Sequence, residues 1–115
     1  MLPPIILSIA GSDCSGGAGI QADIKTISAL GGYAASVITA VTAQNTLGVQ
    51  SVYPIPADMV KAQIASVMDD LRPDAVKIGM VYDAGIVTAI VDCLQTYTPE
   101  CIVYDPVMIS TSDGG

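Results

Sequence analysis

Residues able to do chemistry gather in four short stretches of this sequence. They are Gly11-Ser-Asp-Cys-Ser-Gly-Gly-Ala-Gly19 with Asp23 just beyond it, Gln44-Asn45, Lys77-Ile-Gly-Met80, and Asp105. A glycine loop between a strand and a helix lets main-chain N–H groups and the helix N-terminus hold an anion, or lets a flat ligand approach the backbone closely. Two nucleotide motifs are excluded by their own requirements. A P-loop needs G-x-x-x-x-G-K-[ST], but the frame Gly11 to Gly16 continues with Gly17-Ala18, so the phosphate-binding lysine and the magnesium-binding hydroxyl are both missing. Gly17-Ala18-Gly19 with Ala22 matches the letters of G-x-G-x-x-[GA]. It starts several residues after the strand, however, and no Asp or Glu occurs between Ile24 and Ala57 to bind a ribose. His is absent, which removes Ser-His, Cys-His and imidazole–metal chemistry from this chain.

The elements that carry these stretches follow from hydrophobic periodicity. Ile5 to Ala10 reads as a strand leading into the glycine loop. Ile20, Ile24, Ile27 and Leu30 lay one apolar face along a helix that stops at Gly31-Gly32. On that reading Asp23 is a helix-surface carboxylate beside core-facing Ile24. Ala34 to Val41 is a second strand, and the polar stretch Gln44 to Pro56 holds an edge strand around Val49 to Tyr53. A helix capped by Asp58 presents Val60, Ile64, Val67, Met68 and Leu71, and ends at Arg72-Pro73. Ala75 to Ile78 is a third buried strand. Asp83 caps a helix carrying Ile86, Val87, Ile90, Val91 and Leu94, and Cys101 to Tyr104 is the last strand. Alternation of this kind predicts an α/β fold with a mostly parallel sheet and helices on both faces. Ligands of such sheets sit beyond the carboxyl ends of the strands, where Asp13, Gln44, Asn45, Lys77 to Met80 and Asp105 all fall.

With 51% hydrophobic and 13% charged residues, the 115-residue chain can bury a core, and its length accommodates one domain at most. A net charge of −7 is the wrong sign for phosphate backbones or anionic lipid, so no nucleic acid and no membrane partner is expected. Three cysteines without a C-x-x-C pair argue against a disulfide framework or a thiolate zinc site, and fit a cytoplasmic protein. No basic segment precedes the apolar run at Ile5, so it does not read as a signal peptide.

Four collinear stretches carry a resemblance that spans nearly the whole chain. Ala10 to Thr26, Val37 to Thr46 with Gly48 to Val52, Lys77 to Met80, and Asp105-Pro-Val-Met108 resemble the hydroxymethylpyrimidine/phosphomethylpyrimidine kinases of thiamine biosynthesis, in the ribokinase-like superfamily. Pyridoxal kinases share the glycine loop, while Ala43-Gln-Asn-Thr46 is similar to the pyrimidine-kinase version. The resemblance implies substrate contacts from Gly11, Ala18, Asp23, Gln44 and Met80. Gly11 and Ala18 are small enough for close approach, and the Met80 thioether packs on a flat ring. Gln44 offers a donor and an acceptor on one plane, complementary to an aminopyrimidine edge. The matching aspartate of the family reaches the ligand from the position of Asp23, and Asp105 matches a position near magnesium and the phosphates.

The activity so implied is transfer of phosphoryl from ATP, with Mg2+, to 4-amino-5-hydroxymethyl-2-methylpyrimidine and then to its monophosphate. Members of this family are more than twice as long and carry most of the nucleotide site and a glycine-rich anion hole in their later half. Residues 1–115 are accordingly expected to be the N-terminal part of a single kinase domain, without catalytic or ATP-binding residues of their own and inactive alone. A homo-oligomer is expected from the family. Two other readings stay open: a pyridoxal or pyridoxine kinase, and a noncatalytic pyrimidine-binding or assembly module. Ser110 to Gly115 reads from composition as a flexible start of the next segment.

Overall fold

The computed structural model describes residues 2–81 and 83–105; the expectations for Pro106 to Met108 and Ser110 to Gly115 lie outside the described residues. Strands β1 (Ile5–Asp13), β2 (Tyr33–Asn45), β3 (Gly48–Pro54), β4 (Ala75–Ile78) and β5 (Ile102–Tyr104) alternate with helices α1 (Gly19–Ala29), α2 (Ala57–Asp70) and α3 (Ala84–Tyr97). The five strands form one sheet in the order β3-β2-β1-β4-β5. All neighbours are parallel except β3, which runs back along β2 as an antiparallel hairpin.

Alternation along central β1 sorts the two faces. Leu7 and Ile9 point into the main core with Val37 of β2, Val60 and Ile64 of α2, Val76 of β4, and Ile86 and Ile90 of α3. Burying each such side chain contributes roughly 1.5–3 kcal/mol, so this α2/α3 face supplies most of the apolar stabilisation. Ser8 points the other way, beneath α1, where its hydroxyl bonds Asp23.

Among the described residues helix α1 alone covers its face, and its inward stripe differs from the one expected. Ile20 is buried, but Ile24 is 38% and Leu30 83% exposed. The sheet-facing positions are Ile20, Asp23 and Ile27, whose spacings of three and four fit one helical face. The polar layer formed with Ser8 draws Asp23 inward and rotates Ile24 out. In α3, likewise, Ala89 and Cys93 are buried where Val87 and Val91 were expected to be, because the helix meets α2 across its small side.

Two strands are longer than their apolar runs. Pairing with β2 carries β1 through Gly11-Ser12 to Asp13, and pairing with β3 carries β2 on to Asn45, so Gln44 and Asn45 lie in a strand. Below the hairpin the open edge of β2 is closed by Gln63 of α2, whose amide accepts from Ile38 N at 2.9 Å and donates to Ile38 O at 3.0 Å. Asp83 caps α3 as expected, accepting from Gly85 N and Ile86 N. Asp58 does not cap α2. Pro56 holds that position with φ −56°, its carbonyl accepting from Met59 N and Val60 N, and Asp58 sits in the first turn.

Candidate active site

At the carboxyl ends of β1, β2 and β4 lies a cavity of about 180 Å³. Cavities of about 150 Å³ hold a benzene ring, so this one is sized for a single substituted aromatic ring. Its floor is Ala10, Gly11 and Ser12 of β1, with Ala18 and Gly19 from the loop. Thr42 and Gln44 of β2 with Val49 of β3 make one wall, and Lys77, Gly79 and Met80 after β4 make the other. Both irregularities in the β2 pairing border this cavity: two residues of β2 oppose Gly11, and the β3 register shifts between Ala43 and Gln44. Such bulges re-aim side chains at strand ends. Gly11 and Gly19 bring two main-chain segments together with no room for a side chain between them. Gly19 has φ +58°, and a Cβ there would collide with the Gly11 carbonyl oxygen.

Asp13 lines the cavity, but its carboxylate is engaged by its own loop. Oδ1 accepts from Ser15 N at 2.9 Å and Ser15 Oγ at 2.7 Å, and Oδ2 accepts from Gly17 N at 3.0 Å. The Ser15 hydroxyl, then the loop N–H groups, hold its carboxyl below the usual carboxylate range, against the opposing effect of burial. Gln21 adds a clamp from α1, accepting from Asp13 N and donating to Ser12 Oγ, while Lys25 donates to Gly16 O at 2.9 Å. The loop is therefore braced before any ligand arrives.

Gln44 is braced from two sides. Thr42 Oγ1 lies 2.8 Å from Ser12 O and 3.0 Å from Gln44 Oε1. The Cys14 thiol grips the Gln44 backbone just beyond the last β1–β2 pair, Asp13 with Thr42, with Sγ 3.3 Å from Gln44 N and 3.2 Å from Gln44 O. Among the described residues the Gln44 amide NH2 makes no hydrogen bond, so it is available to a ring edge in the cavity.

Asp23 is not in the lining. Its two oxygens both lie 2.9 Å from Lys77 Nζ, and Oδ2 also accepts from Ser8 Oγ at 2.6 Å. Lys77 reaches the cavity in its place. Asp105 follows β5, with its N–H bonded to Ile78 O, and its Oδ2 is 3.8 Å from Lys77 Nζ. The structure thus places Gly11, Ala18, Gln44 and Met80 around one cavity, and leaves both Asp23 and Asp105 out of its lining: Asp23 lies one side chain behind it, and Asp105, 55% exposed, is related to it through Lys77 at 3.8 Å. Of the lining residues, Ser12 and Val49 have no individual role in the sequence reading, and Lys77 and Gly79 fall at the ligand end of the sheet without one. One signal was present: Ser8 and Lys77 are polar side chains within otherwise apolar strands, and both bond Asp23.

Among the described residues no group of three or more Asp, Glu, Cys or His could enclose a metal ion, and no helix is long and apolar enough to cross a membrane. Magnesium held with nucleotide phosphates usually takes only one or two protein carboxylates, and exposed Asp105 fits that requirement.

A parallel α/β sheet with a braced glycine loop and a ring-sized cavity at its strand ends is the architecture of the ribokinase-like kinases, and comparison with known proteins agrees. The phosphomethylpyrimidine kinase family matches residues 13–115. The chain is 58% identical over 106 residues to the hydroxymethylpyrimidine/phosphomethylpyrimidine kinase of Escherichia coli, covering 92% of this chain and 40% of that protein. It is 50% identical over 109 residues to a probable chloroplastic thiamine biosynthetic bifunctional enzyme of rice, covering 95% of this chain and 20% of that one. The phosphomethylpyrimidine kinase structure from Clostridium difficile superposes with a TM-score of 0.90 at 56% identity, over 95% of this chain and 47% of that one. The pyridoxal kinase of Staphylococcus aureus, in complex with AMP-PCP, gives 0.85 at 32% identity, over 97% and 41%. The chain belongs to the phosphomethylpyrimidine kinase family, and it spans less than half the length of these relatives.

Proposed function

We propose that residues 1–115 are the N-terminal, pyrimidine-binding part of a single kinase domain that phosphorylates 4-amino-5-hydroxymethyl-2-methylpyrimidine and then its monophosphate, using ATP. The observation that carries this reading is Gln44, its backbone held by Cys14 and its side-chain amide by Thr42, lining a cavity of one-ring size. An amide presenting a donor and an acceptor together matches a ring nitrogen beside an exocyclic amine. Gly11 and Ala18 let the ring lie on the main chain, and Met80 packs on its face. Asp23 acts from behind Lys77. Asp105 would hold magnesium, directly or through water, and the ion when bound with ATP would neutralise charge on the transferring phosphates. This chain's own contribution is positioning, which accounts for much of phosphoryl-transfer catalysis.

The test is calorimetric titration of the chain with the aminopyrimidine alcohol and with pyridoxal. Tighter binding of the pyrimidine supports the proposal, and preference for pyridoxal would assign the pocket to the second reading. That reading rests on the similar fold of the pyridoxal kinases, but identity near 32–36% to them against 56–58% to the pyrimidine kinases favours the first. Substrate binding without phosphoryl transfer from ATP would leave a binding module. In a chain that turns over, Asp105→Ala should depress turnover and change its magnesium dependence; an unaltered magnesium response would remove Asp105 from the metal region.

A further inference from the structure

Lys77 is the one cationic side chain among the described residues lining the cavity, and among those residues its hydrogen bonding is incomplete. An ammonium has three N–H donors. Two are satisfied by Asp23 Oδ1 and Oδ2 at 2.9 Å, while Asp105 Oδ2, at 3.8 Å, is beyond hydrogen-bond reach. The gap faces the cavity at Gly79, which has no side chain to fill it; a Cβ there would lie 3.7 Å from Nζ. Hydrogen bonds to a hydroxyl run about 2.7–2.9 Å, so one oxygen can lie within reach of both Nζ and Asp105 Oδ2. Charge decides which oxygen. Asp23, Lys77 and Asp105 together carry a formal net charge of −1, and Asp13, the one carboxylate among the described lining residues, is engaged by its own loop. A neutral hydroxyl, accepting from the ammonium and donating to the carboxylate, suits such a place better than a bare anion.

We propose that Lys77 is a specificity-determining residue that seats the ring's hydroxyl group, donating from Nζ while Asp105 accepts. The proposal deepens the functional reading above and rests on it: the hydroxyl is the one on the substituent to be phosphorylated, and Asp23 serves to aim the ammonium.

The experiment is a cycle between one ligand group and one side chain, measured by titration calorimetry. The full chain is titrated with 4-amino-5-hydroxymethyl-2-methylpyrimidine and with its analogue bearing methyl in place of hydroxymethyl, and the same is done with Lys77→Met and Lys77→Arg. The unsubstituted protein should prefer the alcohol by about 10- to 100-fold, the usual worth of a hydrogen bond to a charged group. Lys77→Met should cut that preference to within about threefold by weakening the alcohol more than the methyl analogue, and Lys77→Arg should restore part of it. Equal weakening of both ligands, or of neither, would overturn the proposal. Should Lys77→Met fail to fold, the 15Nζ signal of Lys77 in the unsubstituted protein is the second readout. It should move with the alcohol and stay in place with the methyl analogue; equal movement overturns the proposal. Pyridoxine and its 5-deoxy analogue form a parallel pair. A Lys77-dependent preference seen only there keeps Lys77 and rejects the pyrimidine reading, and failure of the unsubstituted protein to bind either pair rejects both.

Discussion

Lys77 of β4 and Asp23 of α1, 54 residues apart in sequence, meet with Nζ 2.9 Å from both carboxylate oxygens. Their side chains are only 25% and 18% exposed, so the pair is shielded enough to matter mechanically as well as electrostatically. It ties the lone helix on one face of the sheet to the strand whose end forms a cavity wall. Loss of either partner leaves a half-buried charge, which is costlier than never having had the pair.

That cost can be measured. Asp23→Ala and Lys77→Met should each lower unfolding free energy by about 1–3 kcal/mol, between the values for exposed and fully buried pairs. The double variant should lose less than the two losses added, with a coupling of at least 0.5 kcal/mol. Urea denaturation of the four proteins checks this, and strict additivity would mean the contact carries no energy.

Gly19→Ala should disturb the loop. Its φ of +58° and the Gly11 carbonyl both oppose a side chain, and a loss of about 1–3 kcal/mol with weakened ring binding is expected. Gly31→Ala is the control. Gly31 also has positive φ, +89°, but nothing lies within 4 Å of its Cβ position and it is far from the cavity lining. It should cost stability alone, as read by thermal unfolding beside ligand titration.

Asp13 gives the loop an acid sensitivity with a defined sign. Its folded carboxyl titrates below the ordinary value near 3.8, so its contribution is present above that value and disappears as pH falls through the lower folded one. Asp13→Asn removes that component. The melting temperature of the unsubstituted protein should therefore fall more steeply below about pH 4 than that of the variant. Parallel curves would show that the Ser15 and Gly17 hydrogen bonds do not depend on the charge.

Gln44→Ala should weaken aminopyrimidine binding about 10-fold or more, since a buried ring edge then loses its partner. Thr42→Val should have a smaller effect in the same direction, by freeing the amide to rotate. Isothermal titration separates the two, and full affinity in Gln44→Ala would place the ring elsewhere.

Much of this protein was legible along the chain because local rules were enough. Alternating apolar runs and helical stripes give the order of elements, Asp83 announces α3, and the apolar run Ala75 to Ile78 coincides with β4. The four chemistry-bearing stretches fall at strand ends, so their convergence on one site follows from parallel topology. Pairing was not legible: how far β1 and β2 extend depends on partners distant in sequence, and that extension makes Gln44 a strand residue. Nor was helix rotation. The pattern Ile20, Ile24, Ile27 and Leu30 satisfies an apolar stripe as written, yet the sheet beneath offers a serine and a lysine, so Asp23 faces inward and Ile24 does not. Periodicity describes what a helix would bury against an apolar surface. Which surface it meets, and so whether Asp23 lines the cavity or holds the lysine that does, is decided only when β1, β4 and α1 are in place.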